Sequence, residues 1–246
     1  MGMREIFEEA VLVYRQEADS LLAIVTPTAV LALVLLILAT MSLTFALAVL
    51  PIFTLLFLAT YSMCLQWAGG IATTRHFGRG RSAWLELLLR APAILIAAAP
   101  GCLLALLVAG SAVVVGHEGF WYLAVADGIL GVAAGSQWIT RHAYDQVLVI
   151  VYEGGGRSAV DAGQELAEVA GEWTGRVIIL IMAPLIVAAV LCAGISLVLV
   201  PLAGAAVFLL ALTVWMPFAA LVLVGACQRV MDEHGTLARQ HAGALP

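Results

Sequence analysis

The chain has no lysine and little charge of any kind. All 11 basic residues are arginine, and Asp, Glu, Lys and Arg together make up 11% of its 246 residues. A soluble domain carries about 25%. With 63% hydrophobic residues and a mean hydropathy of +1.08, the main solvent of this chain is lipid. A net charge of −5 and no basic block exclude a nucleic-acid surface. The all-arginine usage is read as coding bias in a GC-rich genome, with phosphate recognition by arginine forks as the lesser alternative. Cysteine is scarce too. Cys64, Cys102, Cys192 and Cys227 all sit in apolar runs, with no CxxC pair and no His at ligand spacing. They read as small buried hydrophobes, and no metal or cofactor is expected. No Ser, Cys or second His is arranged as a nucleophile–base pair, so the chain is not expected to be an enzyme. A cleavable signal peptide is not expected, because the first apolar run follows a charged segment of about twenty residues and is long enough to span.

What is present is long uncharged runs. Residues 20–74 hold no charge. As one helix they would extend about 80 Å against a bilayer core of ~30 Å. They must fold as two spans, near 21–40 and 43–66, with a tight turn at Met41-Ser42 and a kink at Pro51. Residues 75–90 read as a short polar loop with Trp84 as an interfacial anchor. Span three follows near 91–115, and Phe120-Trp121-Tyr122 opens span four, near 120–140, which continues as helix towards Tyr152. Residues 177–228 are again uncharged and divide near Pro201 into spans at 177–197 and 202–228. The expected fold is all-α: a polytopic bundle of six spans forming one membrane domain, 1–235, followed by a polar tail at 236–246.

Two amphipathic helices complete this layout. In residues 3–19, Phe7, Ala10, Val11, Tyr14 and Ala18 share one face, as a helix at the membrane surface requires. In residues 158–173, Asp161, Glu165, Glu168 and Glu172 form an acidic stripe, and Ala162, Leu166, Val169 and Trp173 an apolar one. A solvated face is the plain reading of the acids; a docking surface for a basic partner is the sharper one. With six spans, all 11 arginines fall on the N-terminal side, and the opposite turns near Met41, His117 and Pro201 hold none. The positive-inside rule then puts both termini in the cytoplasm.

The remaining polar chemistry lies between residues 120 and 157. Asp127 sits about two turns inside span four, where a carboxylate costs ~2.5–3.5 kcal/mol and so faces protein or water. It reads either as a proton or cation site or as a structural acid. Gln137, Arg141 and Asp145 are spaced i, i+4, i+8, which puts them on one helical face with Arg141 and Asp145 able to pair. His142 stands beside them as a titratable group. An interfacial anchor at a helix end is the plain alternative. Gly154-Gly155-Gly156-Arg157 reads as a turn rather than a phosphate cradle, since no Walker lysine follows and no strand precedes it.

Two stretches also share an order of motifs. The first is Gln66-Trp67, Thr74-Arg75-His76, Gly80-Arg81-Ser82-Ala83, then Pro100. The second is Gln137-Trp138, Thr140-Arg141-His142, Gly156-Arg157-Ser158-Ala159, then Pro184. They read either as a parallel repeat or as coincidence in an apolar sequence.

Several segments carry a resemblance. They are Val149-Ile150-Val151-Tyr152-Glu153-Gly154, the run from Ala159 through Gly163 to Leu166, and Trp173-Thr174-Gly175-Arg176-Val177. Pro217 and Arg229-Val230-Met231-Asp232 complete the set. Together they resemble the glycerophosphodiesterase membrane-domain and YciC-like families of six-span bacterial membrane proteins. The likeness concentrates in residues 140–235; residues 1–90 match in layout alone, and the acidic stripe departs from the basic helix of that pattern. The resemblance implies a six-span helical fold in the bacterial cytoplasmic (inner) membrane and no particular activity. Members fused to a phosphodiesterase carry catalysis in a separate soluble domain, which the residues here do not include. The expected role is therefore a non-catalytic membrane or scaffold subunit. Its partners would be the lipid bilayer and either a protein at the cytoplasmic face or a second copy of the chain. The alternative is a transporter for a small solute or ion, or a permease subunit.

Overall fold

The computed structural model describes residues 3–73, 81–119, 139–198 and 201–233, together with 123, 126, 130 and 131. All regular structure among these residues is helical, in the order α1 (Met3–Gln16), α2 (Ala18–Ala39), α3 (Leu43–Thr73), α4 (Arg81–His117), α5 (Asp145–Ile150), α6 (Gly156–Val169), α7 (Gly171–Val198) and α8 (Pro201–Glu233). Five of them, α2, α3, α4, α7 and α8, are long and apolar enough to cross a membrane. The expected fourth span, 120–140, with Asp127 and Gln137, falls mostly outside the described residues, as does the polar tail.

The uncharged runs divide where their length requires. The first breaks at Thr40-Met41, whose amides bond back to Ile37 and Leu38 carbonyls and close α2. Residues 81–90 belong to α4 rather than to a loop. Leu, Ala, Glu and Arg there are strong helix formers, and only Pro92 interrupts them, at a point where the helix is already established.

Packing is concentrated at the end of the bundle that carries the arginines. The deepest positions of α3 (Cys64, Leu65, Ala68), α4 (Leu87, Ile94, Ala97), α7 (Val177, Ile178, Ile181) and α8 (Phe218 through Val230) gather there around α5. Val147, Leu148, Val149, Ile150 and Val151 are at most 4% exposed. α5 is therefore a short apolar plug, covered on all sides by α3, α4, α6 and α8. Its fit is close: a Cβ on Gly69 would come within 2.7 Å of the Val151 side chain. Away from this end, Leu and Val side chains on α2, α4, α7 and α8 point outward, among them Ile37, Leu107, Val187 and Leu191. In a membrane-length helix such a face meets acyl chains.

Prolines inside α7 and α8 remove amides and loosen the carbonyls before them. Trp215 Nε1 donates to Ile181 O at 2.9 Å, three residues before Pro184. Tyr14 Oη donates to Val214 O at 3.0 Å, three residues before Pro217. Side chains of neighbouring helices thus donate to carbonyls one residue beyond Leu180 and Thr213, which the prolines leave without an amide. α1 is held in this way: Ile6 and Ala10 are buried, and Phe7 and Tyr14 pack edge-on against Phe218 with centroids 5.3 and 6.4 Å apart. Its apolar face is the one expected, advanced by one position to include Ile6, and it rests on α8.

Phe218 is shared by α1, α8 and Trp215, whose ring centroid is 4.6 Å away. Phe218→Ala should cost about 3 kcal/mol by cavity formation. In limited proteolysis, cleavage in α1 should precede cleavage in the bundle; an unchanged melting temperature and an equally protected α1 would contradict this.

Candidate functional site

The polar side chains of the bundle collect at the two ends of α5. At its C-terminal end the last carbonyls have no partner within the helix. Arg90 of α4 supplies one, with Nη1 donating to Ile150 O at 3.1 Å and to Val149 O at 3.5 Å. Its Nη2 donates to Glu86 Oε1 at 3.1 Å and pairs with Glu153 Oε1 at 3.0 Å. The buried Gln66 of α3 donates from Nε2 to Glu86 Oε2 at 2.8 Å. A guanidinium fork suits such a ring of oxygens. The chain reverses just beyond, where Glu153 takes φ 60° and the Gly154 amide donates to Leu148 O at 3.0 Å. Gly154 and Gly155 form the expected turn, and Gly156 starts α6. A side chain on Gly156 would lie 3.1 Å from the Ala93 backbone, so glycine lets α6 begin directly against α4.

At the N-terminal end of α5 the geometry differs from the expectation. Arg141 and Asp145 do not pair. Residues 142–144 form a turn rather than helix, so the i, i+4 spacing does not place the two side chains on one face. The span-four helix does not run on to Tyr152 for the same reason. Arg141 reaches instead to Glu168 of α6, at 3.0 Å, and both are exposed. Asp145 turns inward and is 1% exposed. Its Oδ2 lies 2.6 Å from His142 Nδ1, and the Gln164 amide lies 3.5 Å from His142 Nε2. The other carboxylate oxygen, Oδ1, has no hydrogen-bond partner among the described residues. Burial pushes the Asp145 carboxyl up to about 6; the His142 hydrogen bond and charge oppose this rise, and the charge of Asp161 adds to it.

α6 lies over this pair. Ala159, Gly163, Leu166 and Ala167 face the core, so the buried face is turned by about one position from the predicted Ala162–Leu166–Val169 stripe; Val169 is exposed. Gly163 is the contact point: a Cβ there would fall 2.1 Å from Asp145 Oδ1 and 3.1 Å from its backbone nitrogen. Asp161 and Glu168 are exposed and Glu165 is half-buried. Glu172 is not on this helix. α6 stops at Val169, Gly171 opens α7, and Glu172 pairs with Arg176 there. The break also removes Trp173 from the apolar stripe of α6. Trp173 instead lies under Arg229 of α8, at 5.2 Å, and borders a cleft of about 290 Å³ between the start of α7 and the end of α8.

Of the expected site residues, His142 and Asp145 are together, and Arg141 joins Glu168. Gln66, Glu86, Arg90 and Glu153 were not expected. Glu86 and Arg90 alone carry a signal in the sequence, as a Glu–Arg pair at i, i+4 ahead of an apolar run. The buried Tyr144–Thr174 hydroxyl pair, 3.2 Å apart, carries none. Among the described residues no cluster of His, Cys, Asp and Glu could hold a metal ion.

Gly163→Ala should displace α6 or Asp145 and destabilise the protein by about 2 kcal/mol. Thermal unfolding in mild detergent measures this, and a variant as stable as the parent would refute the close contact. Comparison with known proteins returns no match to any family model, curated protein or solved structure.

Proposed function

We propose that the chain is a non-catalytic subunit of the bacterial cytoplasmic membrane that works by association, through the acidic outer face of α6. The observation that carries this reading is the division of α6 into two sides. Ala159, Gly163, Leu166 and Ala167 are buried against the bundle, while Asp161 and Glu168 are exposed. The helix is held by one side and offers carboxylates on the other. Three nearby arginines are engaged, Arg141 by Glu168, Arg176 by Glu172 and Arg229 by Glu233, while Arg157 is exposed at the start of α6. Asp161, Glu165 and Glu168 outnumber Arg157 and Arg141 here, and this small acidic excess favours a basic protein segment over anionic lipid. The reading keeps to the sequence resemblance to the YciC-like families, with an acidic docking helix in place of the basic one that resemblance implies.

In this reading the arginine-bearing end is cytoplasmic, as are both termini. A C-terminal fluorescent-protein fusion should glow and a C-terminal alkaline phosphatase fusion should be inactive; the reverse pattern would overturn the orientation. Docking is tested by the double reversal Asp161→Arg with Glu168→Arg. Both are exposed on α6, so folding should persist while recovery of a crosslinked partner drops at least about tenfold, the scale of one lost charge contact. Equal recovery would count against the acidic face. A second reading, a permease subunit, is favoured by the seat of α6 between membrane-length helices, where an ATPase partner would engage. Co-purifying ATPase activity with ATP-dependent solute flux would select it.

A further inference from the structure

Asp145 is a buried acid whose network is incomplete among the described residues. At the other end of α5, Arg90 serves several oxygens at once. Among the described residues, Asp145 has His142 on Oδ2 and no partner on Oδ1. The vacant oxygen points at the contact between α5 and α6, where Gly163 has no side chain to offer a donor. The groups around it do not compensate. On its own turn stands His142. From α6 come Gln164, beside His142, and Asp161, a charge of the same sign. Arg141 is taken by Glu168. From α3 and α4, Gln66, Glu86 and Arg90 act at the far end of α5. From α8, Cys227 faces the neighbouring Tyr144. An ionised carboxylate in this position is incompletely solvated, and water can reach Oδ1 only if α6 lifts from its seat.

We propose that Asp145 is a protonation-controlled latch between α5 and α6: the neutral carboxyl lets α6 seat fully, and ionisation loosens it from the core. The pH window follows from linkage. Asp145 binds its proton more tightly when α6 is seated, about 6 against an ordinary 3.8. Seating is therefore strongest below the ordinary value. It weakens as pH rises from about 4 to about 6, with opening increasing about tenfold per pH unit, and is constant above that range. The cumulative change is roughly 100-fold. Acidification thus clamps the helix that carries the acidic surface. This inference does not depend on what, if anything, docks there.

Backbone amide exchange of residues 156–169, measured from pH 4 to 8 in detergent and corrected for intrinsic exchange, tests the latch. The parent should lose protection between pH 4 and 6 and then level off. Asp145→Asn should stay protected throughout, because its amide is neutral at every pH. Asp161→Asn, an exposed change, should move the transition to lower pH by removing a repelling charge. A parent without pH dependence in this window, or Asp145→Asn with the parent's profile, would overturn the proposal. Should Asp145→Asn fail to fold, an unmoved transition in Asp161→Asn overturns it alone.

Discussion

The arginine-bearing end of the bundle is built to bury one six-residue helix. α5 is too short to satisfy its own backbone: a helix of six residues leaves most of its amides and carbonyls without internal partners. Sunk among α3, α4, α6 and α8, it cannot turn to water for them. The surrounding chain answers at the carbonyl end, with the Arg90 guanidinium and a tight reversal at Glu153. Burying this segment explains why polar side chains occur so deep in an otherwise apolar chain, and why they come from helices distant in sequence. Arg90 and Glu153 are separated by most of α4, the fourth-span region and α5, yet meet over the same two carbonyls.

The same demand recurs along α7 and α8 in another form. A proline in a membrane-length helix frees backbone groups that lipid cannot satisfy. The indole of Trp215 and the phenol of Tyr14 each cover a carbonyl that lies three residues ahead of a proline. Aromatic side chains suit this work, combining a large apolar body with one donor at the tip. Phe218 then fills the space between them. Between α2 and α3 the buried hydroxyls of Thr28 and Thr60, 2.5 Å apart, serve the same end. In each case one polar contact fixes the register of two apolar helices, which apolar surface alone would leave free to slide.

Much of the helical frame was legible in the sequence, because an uncharged run longer than a bilayer has only one way to fold. The turn at Met41 and the start of a new helix at Pro201 follow from length alone. The starts of α1 and α6 were legible from amphipathic spacing to within two or three residues. The centre was not. Val147–Val151 is apolar in every position, and a short plug buried on all sides looks the same as the tail of a preceding span. Once that segment is read as continuous helix, Arg141 and Asp145 fall on one face and their pairing follows. The turn at 142–144 breaks the inference, and no residue type there announces it. The break at Ala170-Gly171 had a signal, a glycine after a helical run. The acidic period runs through it, so spacing alone places Glu172 on α6, whereas the residue belongs to α7.

α4 is also a ruler. From Arg90, tethered to the carbonyls of α5, to His117 at its end there are 27 residue steps, about 40 Å of axis. A hydrocarbon core of ~30 Å cannot hold that length upright. With one end pinned, α4 takes up the excess by leaning, by bending at Pro100 or by carrying its His117 end into the headgroup layer, according to the thickness of the membrane around it. The Arg90 clamp makes a protein contact into the fixed point of that adjustment.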